Sequence, residues 1–120
     1  MIKRFDSVDV ATADLADASR IYRQNFGLSI RTEGDEATIA IGDGLIRLRS
    51  GAAVSDLIAA SGEGLAAVWL EAEDVEAASA ALRQAGAKVA PIRIENGRRV
   101  VAVDPQSANC VPLYIFDRRG

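Results

Sequence analysis

Four short stretches of this chain place chemically capable side chains at every second residue. In residues 5–12, Phe5, Ser7 and Asp9 share one strand face, while Val8, Val10 and Thr12 take the other. By the same parity, residues 65–72 set Leu65, Ala67, Trp69 and Glu71 on the equivalent face. Residues 45–49 add Leu45, Arg47 and Arg49, and residues 111–116 add Pro112, Tyr114 and Phe116. The opposite faces read Val8-Val10, Ile46-Leu48, Val68-Leu70 and Leu113-Ile115, which are aliphatic, as a helix-packed face should be. The Ser7 face therefore collects the single Trp, one of the two Tyr, two of the three Phe, two Arg and two carboxylates. Arginine grips a carboxylate through a bidentate fork. Aromatic walls with a few placed polar groups make a small-molecule pocket. That combination suits a flat or partly apolar ligand with an acidic group.

Each of these side chains also has a plainer role open to it. Arg47 binds ligand or pairs with Asp9 or Glu71, and the sequence leaves both open. Trp69 is pocket wall or core. Tyr114 is a general acid, a hydrogen-bond anchor or filler, because an ordinary phenol titrates near 10 and needs lowering to act as a base. Asp9 and Glu71 are the remaining candidates for moving a proton. The chain has no histidine, so a Cys–His nucleophile at Cys110 is excluded. Asp14, Asp17, Glu73, Asp74 and Glu76 sit where helices should begin, and capping explains them without a metal. Arg98-Arg99 and Arg118-Arg119 read as solvated doublets, with Arg98 or Arg99 open to a second role at a cleft rim.

The elements that must position these residues repeat. Residues 6–18 resemble residues 66–78, and each copy reads as a strand, an acidic turn and a helix. Asp14 and Asp74 are the expected N-caps, and Gly27 and Gly86 the expected stops. Residues 28–32, 37–41 and 45–49 form three strands after the first helix. Residues 88–92, 99–103 and 111–116 form three after the second. Asn96-Gly97 is a hairpin turn. The expectation is an α+β chain of two tandem βαβββ modules: module 1 at 1–51, a linker at 52–63 with helical character, and module 2 at 64–120. At 120 residues these make one domain. A net charge of −3 argues against nucleic acid or an anionic membrane as partner. One cysteine leaves no intrachain disulfide, and no apolar run reaches a membrane span, so a cytoplasmic protein is expected.

The order of these pieces resembles the vicinal oxygen chelate superfamily of glyoxalases, bleomycin-resistance proteins and dioxygenases. The resemblance rests on Asp6-Ser7-Val8 with Asp14-Leu15, on Tyr22 through Gly27-Leu28, and on Arg83-Gln84-Ala85-Gly86-Ala87. It also rests on Asp104-Pro105 ahead of Val111-Pro112-Leu113. It implies a curved mixed sheet around a cleft and a homodimer. In metal-dependent members, His, Glu or Gln ligands come from the first and last strand of each module. Carried across, those positions are Ser7, Arg47, Ala67 and Tyr114. None is a usual ligand in that fold, so no metal and no cofactor are expected, and glyoxalase, epimerase or extradiol dioxygenase activity is not carried over.

The reading that follows is a metal-independent binding protein for a partly aromatic or anionic organic molecule. Its ligand-binding residues are Ser7, Asp9, Arg47, Arg49, Trp69, Glu71, Tyr114 and Phe116. One alternative is a metal-independent isomerase, lyase or cyclase using Asp9 or Glu71 as base and Arg47 and Tyr114 to hold an anion. Another is a non-catalytic structural or dimerisation module with a filled cleft. The ligand's identity, and whether the cleft lies within one chain or across a dimer, are not in the sequence.

Overall fold

The computed structural model describes residues 1–119, so Gly120, the last residue of module 2, lies outside the described residues. The elements run β1 (Ile2–Ala11), α1 (Leu15–Phe26), β2 (Arg31–Glu33), β3 (Glu36–Ile41), β4 (Gly44–Arg49), α2 (Ala52–Ser61) and β5 (Gly64–Ala72). They continue with α3 (Val75–Gln84), β6 (Arg93–Glu95), β7 (Arg98–Ala102), a short 3-10 turn (Pro105–Ala108) and β8 (Leu113–Asp117). The chain is α+β with the βαβββ order twice. None of its described helices is long and apolar enough to cross a membrane. By contact it divides into two compact units, residues 7–66 and residues 1–6 with the chain from Ala67 onward, so β1 contributes to both.

In the first unit the strand order is β2-β3-β4-β1. The end of β1 runs parallel to β4, with Asp9 beside Arg47, and β3 runs antiparallel to β4. Helix α1 starts where Asp14 accepts a hydrogen bond from the Asp17 N–H at 3.0 Å. It ends at Gly27, whose φ of 64° suits a residue without Cβ. Its apolar stripe, Leu15, Ala18 and Tyr22, packs with Val10 and Ile46 on buried Ala37, Ile39 and Leu48. This confirms the parity: Val10, Ile46 and Leu48 face the helix, which turns Ser7, Asp9 and Arg47 to the other side.

The second unit repeats the plan, with order β5-β8-β7-β6. Asp74 caps α3 by accepting from the Glu76 N–H at 2.9 Å. Val75 and Ala78 of the helix pack on Ala72, Val101, Val103 and Ile115. A lock joins this helix start to β8. Asp117, 1% exposed, accepts from the Val75 N–H at 2.7 Å and from Arg99 Nε at 3.0 Å. Arg99 also donates to Asp74 at 3.1 Å. Replacing Asp14 by Ala should therefore cost about 1 kcal/mol, the usual worth of a cap. Asp74→Ala should lower the urea midpoint further, because it also breaks a contact of the lock. Equal midpoints would mean that Arg99 adds nothing to the cap.

Two strands differ from expectation. Residues 28–30 do not pair; Leu28 and Ile30 pack into the helix-side core instead, and β2 begins at Arg31. Residues 88–92 make only a Val89–Val103 bridge with flanking Ala90 and Asp104 N–H bonds, and β6 lies later, at Arg93–Glu95. Pro91 has no N–H to give a ladder, which delays the strand. Asn96 (φ 51°) and Gly97 (φ 75°) then turn the β6–β7 hairpin as anticipated.

Candidate ligand-binding site

The predicted site residues gather into two groups, one on the helix-free sheet face of each unit. In the first unit, Ser7 and Asp9 on β1 lie beside Arg47 and Arg49 on β4. Arg47 Nε donates to Asp9 Oδ1 at 2.7 Å, and its Nη2 donates to Ser7 Oγ at 2.8 Å. Asp9 is 3% exposed, and Arg49 approaches its other oxygen at 3.8 Å. Glu36 of β3 stands 3.7 Å from Arg47 and 3.9 Å from Arg49. Of the two partners open to Arg47 in the sequence, it takes Asp9. Glu36 joins the group through the antiparallel register that sets it opposite Arg49, a pairing that residues 45–49 alone do not reveal.

In the second unit, Trp69 of β5 stacks on its cross-strand neighbour Tyr114, with ring centroids 4.7 Å apart and planes 18° from parallel. Phe116 meets Trp69 edge-on at 6.2 Å. These rings form a buried cluster with Ala67 and Val100. Trp69 is almost fully covered and Phe116 fully so. The guanidinium groups over them are Arg93, Arg98 and Arg118, not the arginines of β4 singled out in the sequence. The missed signal was register: Arg98 is two residues from Val100, which pairs with Phe116, so parity puts both on one face.

Glu71 belongs to this second group. It is 5% exposed and accepts from Arg4 at 2.9 Å, with Arg118 at 3.4 Å and Lys3 at 4.0 Å. Hydrogen bonds from Arg4 to Glu71 and Asp6 raise the Arg4 pKa above its usual value. An open pocket of about 490 Å³ borders Tyr114 and is walled by Val89, Ala102, Pro112 and Leu113, with Lys88 and Asp104 at hand. A second pocket, about 360 Å³ and mostly charged, reaches Glu71 between Lys3 and Arg118. The first lies within the size range of small-ligand sites. Cys110 is an exposed loop residue.

The same position of the repeat thus carries different chemistry in each copy. Asp9 with Arg47 occupies in one module the cross-strand place that Trp69 with Tyr114 occupies in the other. One is an ion pair and the other an aromatic stack, on a duplicated βαβββ frame.

That frame defines the class, a two-module α+β chain of the glyoxalase type. The family model of the Glyoxalase/Bleomycin resistance protein/Dioxygenase superfamily matches residues 4–119, and the chain belongs to that superfamily. No curated protein matches it. Among solved structures it is similar to a methylmalonyl-CoA epimerase in complex with methylmalonyl-CoA and NH4+, at 25% identity and a TM-score of 0.76, over 98% of this chain and 95% of that one. A Streptomyces coelicolor methylmalonyl-CoA epimerase in complex with 2-nitronate-propionyl-CoA is 23% identical, with a TM-score of 0.77 and the same coverage. A hypothetical protein from Bacillus halodurans is 18% identical, with a TM-score of 0.81, over 98% and 95% of the two chains. The last two likenesses speak to the fold.

Proposed function

We propose that the chain is a metal-independent small-molecule-binding member of its superfamily, taking a partly aromatic or anionic organic ligand at its helix-free face. The observation that carries this reading is the Trp69–Tyr114–Phe116 cluster under three guanidinium groups; of these residues Tyr114 also borders the open pocket, whose other apolar walls include helix-side Val89, Val103 and Leu113. Apolar wall and placed charge together are what a small-ligand site needs.

The donor chemistry supports the metal-independent part. At the four positions where the resemblance would put ligands, Arg47 is a permanent cation already donating to Ser7 and Asp9. Ala67 offers no donor atom, and Tyr114 is stacked on Trp69. Such a set does not fit a divalent cation. A thermal-shift screen tests both halves. Aromatic acids should raise Tm, and a ligand at one hundred times its Kd adds about 2.7 kcal/mol. Zinc, nickel and iron(II) should leave Tm unchanged after dialysis against chelator. A metal-induced rise with no response to organic ligands would reject the proposal.

One observation favours a second reading, a metal-independent isomerase: the likeness to methylmalonyl-CoA epimerases with acyl-CoA esters bound. Glu71 would then move the proton. Against it, Glu71 has three cations within 4.0 Å, and Asp9 has guanidinium groups at both oxygens, so both carboxylates are already engaged in ion pairs. Methylmalonyl-CoA incubated with the protein in heavy water should gain deuterium at its acidic carbon no faster than in buffer alone. Exchange that Glu71→Gln abolishes would establish the isomerase instead. The proposed assembly is a homodimer, to be read by light scattering as twice the 12.7 kDa chain mass.

A further inference from the structure

We infer that Arg98 is the anion-binding residue of the second module's helix-free face, and that its ligands are flat, conjugated monocarboxylates. This rests on the ligand-binding reading above and specifies the residue and chemical class. Arg98 comes from β7, and the sequence left either it or Arg99 open to a role at the rim; the structure puts Arg98 over the rings.

Three guanidinium groups lie over the aromatic cluster. Arg93 is 5.8 Å from the Tyr114 ring centre and Arg118 is 5.5 Å from that of Phe116. Arg98 is 4.7 Å from Phe116 and 5.4 Å from Trp69, bridging two rings. Two of the three charges are answered. Arg93 donates to Glu95 at 2.9 Å, and Arg118 stands 3.4 Å from Glu71. Glu95 is also the cross-strand neighbour of Arg98, but Arg93 holds it. Among the described residues no carboxylate pairs with Arg98.

A guanidinium lying over aromatic rings is partly desolvated, which strengthens its pull on an anion. It still offers N–H groups along its edge, where a carboxylate is held by two parallel hydrogen bonds. One unanswered charge among the three matches a monoanion better than a phosphate dianion. The remainder of a flat acid has apolar surface at Tyr114, which stacks on the Trp69 ring that Arg98 covers.

Trp69 is the chain's one tryptophan and reports on this site directly. Benzoate, neutral benzamide and inorganic phosphate would be titrated while its fluorescence is read. Benzoate should give a saturable change, at least tenfold tighter than benzamide or phosphate. Both Arg98→Ala and Arg98→Gln should weaken benzoate at least tenfold. Arg98→Gln keeps part of the stem over the rings and carries the comparison if Arg98→Ala does not fold, with near-ultraviolet circular dichroism checking the cluster. Unchanged benzoate affinity in Arg98→Gln, or equal binding of benzamide, would overturn the role of Arg98 and leave the ligand-binding reading standing. Tighter binding of phosphate would overturn the ligand class. Silence with benzoate alongside a positive thermal screen overturns this inference alone; silence in both overturns the two together.

Discussion

Asp117→Asn should cost about 2 kcal/mol of stability at neutral pH, because it takes the charge out of a buried, hydrogen-bonded pair, while Arg99 keeps Asp74 at 3.1 Å and Glu76 at 3.4 Å. Asp117 is 1% exposed and accepts from Arg99, from the Val75 N–H that opens α3 and from the Arg119 N–H. Burial by itself would raise its pKa. The hydrogen bonds from Arg99, Val75 and Arg119, with the Arg99 charge, outweigh that and hold the carboxyl at about 2. The hydrogen bond to Asp117, with the charges of Asp117 and Glu76 and the bond to Asp74, pushes the Arg99 pKa upward against burial. Asp74 moves in the same direction as Asp117: burial opposes the shift, and the Glu76 and Ala77 N–H groups with Arg119 and Arg99 prevail. A carboxylate with a depressed folded pKa stabilises fully above its unfolded value, roughly 4. That contribution drains away as the pH falls towards 2. The wild type should therefore lose stability across this interval, and Asp117→Asn should flatten the loss. Urea midpoints at pH 7 and Tm between pH 2 and 5 measure both effects. A variant within 1 kcal/mol of wild type at pH 7, or with an undiminished acid slope, would mean that the lock is not what holds β8 to α3.

The second large effect belongs to the first module. Arg47→Ala should cost about 3 kcal/mol, since Asp9 is left buried without its closest cation. Arg47→Met with Asp9→Leu should bring stability back to within about 1 kcal/mol of wild type, because a buried pair is often replaceable by apolar residues. Arg49 and Glu36 remain in the double variant and can answer one another. A double-mutant cycle on urea midpoints gives the coupling. Additive single effects would show that the two side chains do not act as a unit.

The fold was legible because its determinants are local and occur twice. Asp14 and Asp74 each precede an apolar helical stripe, and both cap a helix. Alternation in residues 5–12, 45–49, 65–72 and 111–116 correctly separated the helix-packed face from the other. What could not be read depends on partners distant in sequence. The choice of Asp9 by Arg47 follows from the parallel register of β1 with β4, and the burial of Glu71 from Arg4, far along the chain. Residues 88–92 look like a strand by composition, yet Pro91 breaks the ladder and moves the hairpin on. Arg98 and Arg99 look alike as a doublet. The pleat sends one over the rings and the other to the α3 cap.

The two shortest strands have a consequence for how copies of the chain behave in a crowd. β2 and β6 each hydrogen-bond to one neighbour only, so each presents an open rim to which a stray strand could add. Both are three residues long, and both begin with arginine and end with glutamate. Ile94 is the one large apolar side chain on either, and it is flanked by the ion-paired Arg93 and Glu95. Pro91, which delayed β6, also keeps that rim from lengthening. A rim so brief and so charged gives an incoming strand few bonds and no greasy strip, which discourages fibrillar stacking even when many copies are made at once.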